Sequence, residues 1–166
     1  MKKFVSILLI AAALLCLAAC QGNETPTTTA AAPNRPKQLT LSETYTAITK
    51  DADMPEMMRI DEDMLLDLYG IQAEQYKQVE VYLCVNSLRA DEIWLIEATD
   101  ADALAKLKTL AENRLTAKDE ESVTYSPEQN AIVKKAHLQS YGNYLVMIVS
   151  PDVETITAAF KTEAGV

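Results

Sequence analysis

Apolar and polar positions along this 166-residue chain follow two periods, and the switches between them mark out its elements. Thr40-x-x-Glu43 has the form of a capping box and opens a short helix with Tyr45 and Ile48 inward. A second helix is predicted from near Asp61, where three acidic residues suit the positive helix end, to Tyr69, with Gly70 as its C-terminal cap. Over residues 79–86 every second position is aliphatic, which places Val79, Val81, Leu83 and Val85 on one face of a strand. Residues 93–98 form the next strand, after a loop containing Ser87, Arg89 and Asp91. Thr99-x-x-Asp102 caps a helix predicted to run to about Arg114, with Leu104, Leu107, Leu110 and Ala111 as its apolar stripe.

Residues 118–125 are polar and acidic and read as a surface connection. Ser126-Pro127-Glu128-Gln129 restarts helix, with a serine cap, proline in the first position and Gln129 closing the box. Residues 136–141 and 144–149 are predicted strands, and Gly142-Asn143 between them is a two-residue hairpin signal. Ser150-Pro151-Asp152 starts a last helix with Val153, Ile156 and Phe160 at core spacing.

From the second helix onward the order is α-β-β-α-α-β-β-α, which predicts an α+β domain over residues 41–163. Its expected form is a four-stranded, mainly antiparallel sheet with helices packed on one face and the other face free of helix. Residues 93–108 laid against 145–160 match strand to strand and cap to cap. That match suggests an internal duplication, with chance similarity as the alternative.

The front of the chain has a different character. Lys2 and Lys3, an apolar run over residues 4–15 and Leu17-Ala18-Ala19-Cys20 compose a signal peptide, too short to span a membrane. The ending resembles the lipobox of bacterial lipoproteins, which implies diacylglycerol on Cys20 and removal of residues 1–19. Two acyl chains hold a protein firmly, whereas one gives marginal, reversible attachment. Residues 21–38 are Thr, Ala, Pro and Asn with little to bury, so residues 20–40 are expected to be a lipidated cysteine and a flexible linker. Its 18-residue tract has an end-to-end distance on the order of 25 Å.

Cleavage takes away Lys2 and Lys3 and no acidic residue, leaving 13 basic against 24 acidic side chains, a net charge of −11. Such a balance argues against nucleic acid as a partner. Of the three cysteines, Cys16 leaves with the leader and Cys20 becomes a thioether, so Cys84 is the one remaining thiol.

Asp91-Glu92-Ile93 opening a strand, Arg114 ending the helix that follows, Tyr125-Ser126-Pro127-Glu128-Gln129, and Gly142-Asn143-Tyr144 before an aliphatic strand form a set. This arrangement, over residues 54–160, resembles the domain-of-unknown-function 4358 family, small lipoproteins found mainly in Gram-positive bacteria. The resemblance implies a membrane location and brings no activity or catalytic residue with it.

The candidate chemistry is thin. Cys84 lies mid-strand with no basic neighbour in sequence to lower its pKa, and reads as a packed, inert thiol. His137, the sole histidine, begins a strand; a Cys84–His137 nucleophilic pair requires the two strands to adjoin. No Gly-x-Ser-x-Gly turn is present. Met54, Met57, Met58 and Met64 suggest Cu(I) or, more simply, core filling. Asp51, Asp53 and Glu56, and Asp61-Glu62-Asp63, lack the glycine turn and ligand order of a calcium loop. A sharper candidate is the loop of residues 86–91, longer than a hairpin needs, with Ser87, Arg89, Asp91 and the nearby Trp94 as an interaction surface. The plainer alternative has Trp94 in the core and Arg89 paired with Asp91.

These residues predict an extracytoplasmic, lipid-anchored lipoprotein of the cell membrane that acts as a non-enzymatic interaction module. Its expected partners are membrane lipid, through Cys20, and an envelope or membrane protein; no catalytic residue, cofactor or metal is expected. The alternative is a small-ligand or solute-binding lipoprotein, and an enzyme is the least supported class.

Overall fold

The computed structural model describes residues 36–166, the side chain of Tyr125 excepted. The expected leader, Cys20 and most of the linker lie outside the described residues. The elements are α1 (Leu41–Thr49), β1 (Met57–Arg59), α2 (Glu62–Tyr69), a 3-10 turn (Ala73–Gln75), β2 (Tyr76–Cys84), β3 (Glu92–Ala98), α3 (Ala101–Tyr125), α4 (Pro127–Val133), β4 (His137–Tyr141), β5 (Tyr144–Val149) and α5 (Val153–Ala164). Among the described residues no helix is long and apolar enough to cross a membrane.

The α+β class and the antiparallel pairing hold, but the sheet has five strands, in the order β1-β2-β3-β5-β4. The added strand, β1, pairs Met57 with Cys84 and Arg59 with Tyr82 at one edge. Three residues with mixed exposure leave too short an alternation to read in advance. The hairpin signal is realised: Tyr141 pairs with Tyr144, and Gly142 takes φ 58°, the left-handed conformation that such a turn needs.

Helices cover both faces of the sheet, which corrects the expectation of one helix-free face. On one side Trp94, Ile96, Leu145 and Met147 pack with Leu65 of α2, Leu107 and Ala111 of α3 and Val133 of α4. On the other, Ile93, Leu95, Val146 and Ile148 pack with Leu41 and Ile48 of α1 and Ile156 and Phe160 of α5. The reason lies in the central strands. Ile-Trp-Leu-Ile in β3 and Leu-Val-Met-Ile-Val in β5 are unbroken apolar runs, and every residue of both strands is buried. Such a run must be covered on two sides.

The duplication fares poorly for the same reason. β3 and β5 are antiparallel neighbours, Trp94 opposite Met147. A two-fold axis relating them stands perpendicular to the sheet and preserves its faces, yet α3 and α5 lie on opposite faces. The halves share an order of elements and are not superposed by that axis.

Helix α3 runs 25 residues, through the segment expected to be a surface connection. Nothing before Pro127 breaks it, and beyond Arg114 the inward Lys118 is buried because its partner is a charge, as described below. Asp100, one residue later than expected, caps it by accepting from the Ala103 amide at 2.8 Å. Ser126 ends α3 and begins α4, its Oγ accepting from the Gln129 amide at 3.3 Å. The folded part also begins earlier than residue 41: Leu39 is buried, and the Lys37 amide donates to the Ala164 carbonyl at 2.9 Å.

With both faces covered, Ile93→Ala and Ile96→Ala, which truncate neighbouring but oppositely directed side chains, are each expected to cost about 2–5 kcal/mol. Chemical denaturation measures this, and a near-neutral result at either position would mean that its face is open to water.

Candidate functional site

Glu92 opens β3 with no exposed surface at all. An isolated carboxylate there would be prohibitive, so its partners define the place. Arg114 and Lys118, one turn apart on α3 and therefore on one face of it, both reach Glu92. Arg114 donates from Nε to both carboxylate oxygens at 3.1 Å and from Nη2 to Oε2 at 2.8 Å. Lys118 Nζ lies 2.9 Å from Oε2. Trp94, two residues along the strand and so on the same side, donates Nε1–H to Oε1 at 2.7 Å.

Tyr69 closes the cluster from α2. Its ring meets Trp94 edge-on at 4.9 Å, and the Arg114 guanidinium lies 5.5 Å from its centre. Burial pushes the Tyr69 phenol well above its usual value, with Glu92 adding and Arg114 subtracting. For Arg114 burial opposes charge, but the hydrogen bonds and charge of Glu92 outweigh it and raise the pKa. The guanidinium is therefore permanently charged.

This cluster also holds the loop between β2 and β3. Lys118 Nζ donates to the Ala90 carbonyl at 2.9 Å, and Gln129 Oε1 accepts from the Ala90 amide at 2.8 Å. Gln129 thus spends its side chain on the loop rather than on closing its own capping box. Within the loop, Asn86 Oδ1 accepts from the Leu88 amide at 3.0 Å, and Arg89 Nε donates to Asp91 at 2.9 Å. Helix α3, helix α4, the loop and β1 enclose a cleft of about 300 Å³. Met58, Leu83, Val85 and Leu88 line it with apolar surface, and Arg89, Arg114 and Lys118 with positive charge.

Of the four residues singled out in sequence, Ser87 and Arg89 line this cleft, while Asp91 and Trp94 have no exposure and present nothing to a partner. Asp91 anchors Arg89, and Trp94 braces Glu92 from within. Glu92, Arg114, Lys118 and Gln129 were not recognised as a site. The available signal was an acidic residue at the mouth of an otherwise apolar strand, with two cations at helical spacing in a tract read as surface.

Other candidates are dispersed. Cys84 is buried, and the fold sets Arg89 beside it in the cleft wall, a basic neighbour that sequence distance concealed. His137 lies on β4, separated from β2 by β3 and β5, roughly 14 Å at ordinary strand spacing, so the two form no pair. Burial, then Lys161, lowers the His137 pKa, and its Nε2 lies 3.1 Å from the Tyr141 hydroxyl. Met54 packs with the α1 and α5 core, whereas Met58 lines the cleft on the opposite face. The sheet keeps these thioethers apart. Among the described residues no three His, Cys, Asp or Glu side chains gather as metal ligands.

Glu92→Gln would leave the buried Lys118 and the half-buried Arg114 without their shared counter-charge, and a loss of about 3–5 kcal/mol is expected, with altered emission from Trp94. Denaturation followed by tryptophan fluorescence reads both; unchanged stability would show that the cluster is not electrostatically coupled.

No curated protein and no solved structure matches the chain. The family described as domain of unknown function (DUF4358) matches residues 50–150, a span that holds the whole sheet, the charge cluster and the cleft. The chain therefore belongs to the DUF4358 family.

Proposed function

We propose that this protein is an extracytoplasmic lipoprotein, held to the cell membrane by lipid on Cys20, whose folded domain is a non-enzymatic module that engages a protein of the cell envelope. The observation that carries this reading is the mouth of the cleft. Met58, Val85 and Leu88 are exposed at 50%, 54% and 69%, and they surround one concavity. Exposed apolar groups scattered singly are ordinary, but a set rimming a polar-floored cleft is the pattern of a contact surface. The loop that carries two of the three is fastened by Gln129 and Lys118, so little ordering entropy is lost on binding. Separation of Cys84 from His137 favours binding over catalysis.

A small ligand is the second reading, favoured by the concavity itself and by charged groups at its floor. A cleft of about 300 Å³ lies at the lower end of ligand pockets.

Two outcomes are expected. Cys20→Ala abolishes labelling by a fatty-acid probe and releases the protein from the membrane fraction; continued labelling would refute the anchor. A photo-crosslinking residue at position 88, in intact cells, captures one envelope protein in preference to bulk neighbours, whereas recovery of lipid and abundant proteins alone would count against a protein partner.

A further inference from the structure

The two edges of the sheet are unequal. At one, β1 is three residues long, and its Arg59 donates from Nη2 to the Val79 carbonyl at 3.3 Å, so that edge is both short and plugged. At the other, β4 keeps unbroken register with β5 over five residues and carries neither proline nor a lysine, arginine or carboxylate. The pairing shows which of its backbone groups are spent. The Ala98 amide donates to the Asn143 carbonyl, so Asn143, Leu145, Met147 and Val149 turn their backbone groups toward β3. Tyr144, Val146 and Ile148 therefore turn theirs toward β4, where they meet Tyr141, Gln139 and His137. The amides and carbonyls of Leu138 and Ser140 point outward from the sheet, and among the described residues none of the four has a hydrogen-bond partner.

Charge is also particular at this edge. A groove of about 530 Å³ lies between the start of β4 and α5, with His137, Val153 and Ala158 along it and Lys135 and Lys161 on its walls. Both lysines are exposed, and among the described residues neither belongs to an ion pair. Against them stands one acidic lining residue, Glu154, so the groove is net positive in a chain of strongly negative net charge. His137 senses that sign: burial and then Lys161 lower its pKa, and no carboxylate offsets them.

We infer that β4 is a docking edge for an extended acidic segment of a partner protein, which adds as a sixth strand on Leu138 and Ser140 and sets acidic side chains against Lys135 and Lys161. Backbone hydrogen bonds supply the part of the affinity that is indifferent to sequence. Every second side chain of the added strand points to the α5 face, where the lysine-walled groove selects for negative charge. A second copy of this chain is a poor occupant, because two strongly acidic domains repel each other. The edge is distinct from the cleft, which β1 borders at the other side of the sheet, so it stands independently of the reading given to the cleft.

A hexapeptide of alternating valine and glutamate, blocked at both ends, is the probe. Its controls are the alternating valine and lysine peptide and the glutamate peptide methylated on its backbone nitrogens. Each is added to isotope-labelled full-length protein in detergent, and amide resonances are followed. The glutamate peptide is expected to shift and protect the Leu138 and Ser140 amides, with a Kd on the order of 1 mM, and to bind several-fold more weakly at high salt. The lysine peptide binds several-fold more weakly still, and the methylated peptide leaves both amides unchanged. Ser140→Pro, which removes an outward amide, abolishes binding. Because proline can also strain the strand, the double variant Lys135→Gln, Lys161→Gln is the second test: it alters only exposed side chains and is expected to abolish the preference for glutamate over lysine. Equal binding of the two charged peptides to the wild-type protein would overturn the acidic assignment, and binding of the methylated peptide would overturn strand addition. Protection of Leu138 and Ser140 that appears with protein concentration alone, alongside dimer formation in sedimentation, would give the edge to a second copy and overturn the inference.

Discussion

The Glu92 carboxylate is buried with no exposed surface, and the arrangement of the surrounding elements follows from how that cost is met. A charge with no access to water needs partners that saturate its oxygens, and Glu92 receives Trp94, Arg114 and Lys118 together. Those three come from one strand and one helix, so satisfying the carboxylate sets the position of α3 over β3. It also fixes how far α3 continues. The turns beyond Arg114 stay helical and inward-facing because Lys118 has somewhere to put its charge.

Stability alone gives little reason to keep such a cluster, since buried ion groups are often replaced by apolar residues without loss. Its distinctive effect here is positional. Lys118 binds the carboxylate with one donor and the Ala90 carbonyl with another, coupling helix, strand and loop at a single atom. The Asn86–Asp91 segment would otherwise be an exposed loop free to sample many forms. Fastened at Ala90 by both its amide and its carbonyl, it holds Val85 and Leu88 at the rim of a cleft with cations at its base. Packing, electrostatics and the candidate contact surface thus meet in a few residues.

The site was only partly legible beforehand. Ser87 and Arg89 were identified from loop length and composition, and both line the cleft. Asp91 and Trp94 were chosen by the same argument and are interior, because an arginine two residues away and a carboxylate two residues away satisfy their polar atoms. The roles of Arg114 and Lys118 depend on a carboxylate more than 20 positions distant, and that of Gln129 on the Ala90 amide, so none is legible locally. A polar tract on a helix looks like solvent-facing surface unless its buried counter-charge is known. The segment at residues 118–125 was misread for that reason.

Local chemistry in the chain determined the type and order of nearly every element: acidic residues in the first turn of α2, a serine cap at Ser126, left-handed glycines at Gly70 and Gly142, and apolar runs in the central strands. These are contacts within a few residues, where periodicity and capping suffice. Tertiary structure alone decided the number of layers, the fifth strand and the gathering of a cleft. The unbroken apolar strands implied cover on both faces, but which helix lies on which face depends on crossover geometry between distant segments. The charge cluster is likewise invisible in a chain of net acidity, because only folding brings Trp94, Arg114 and Lys118 within reach of one carboxylate.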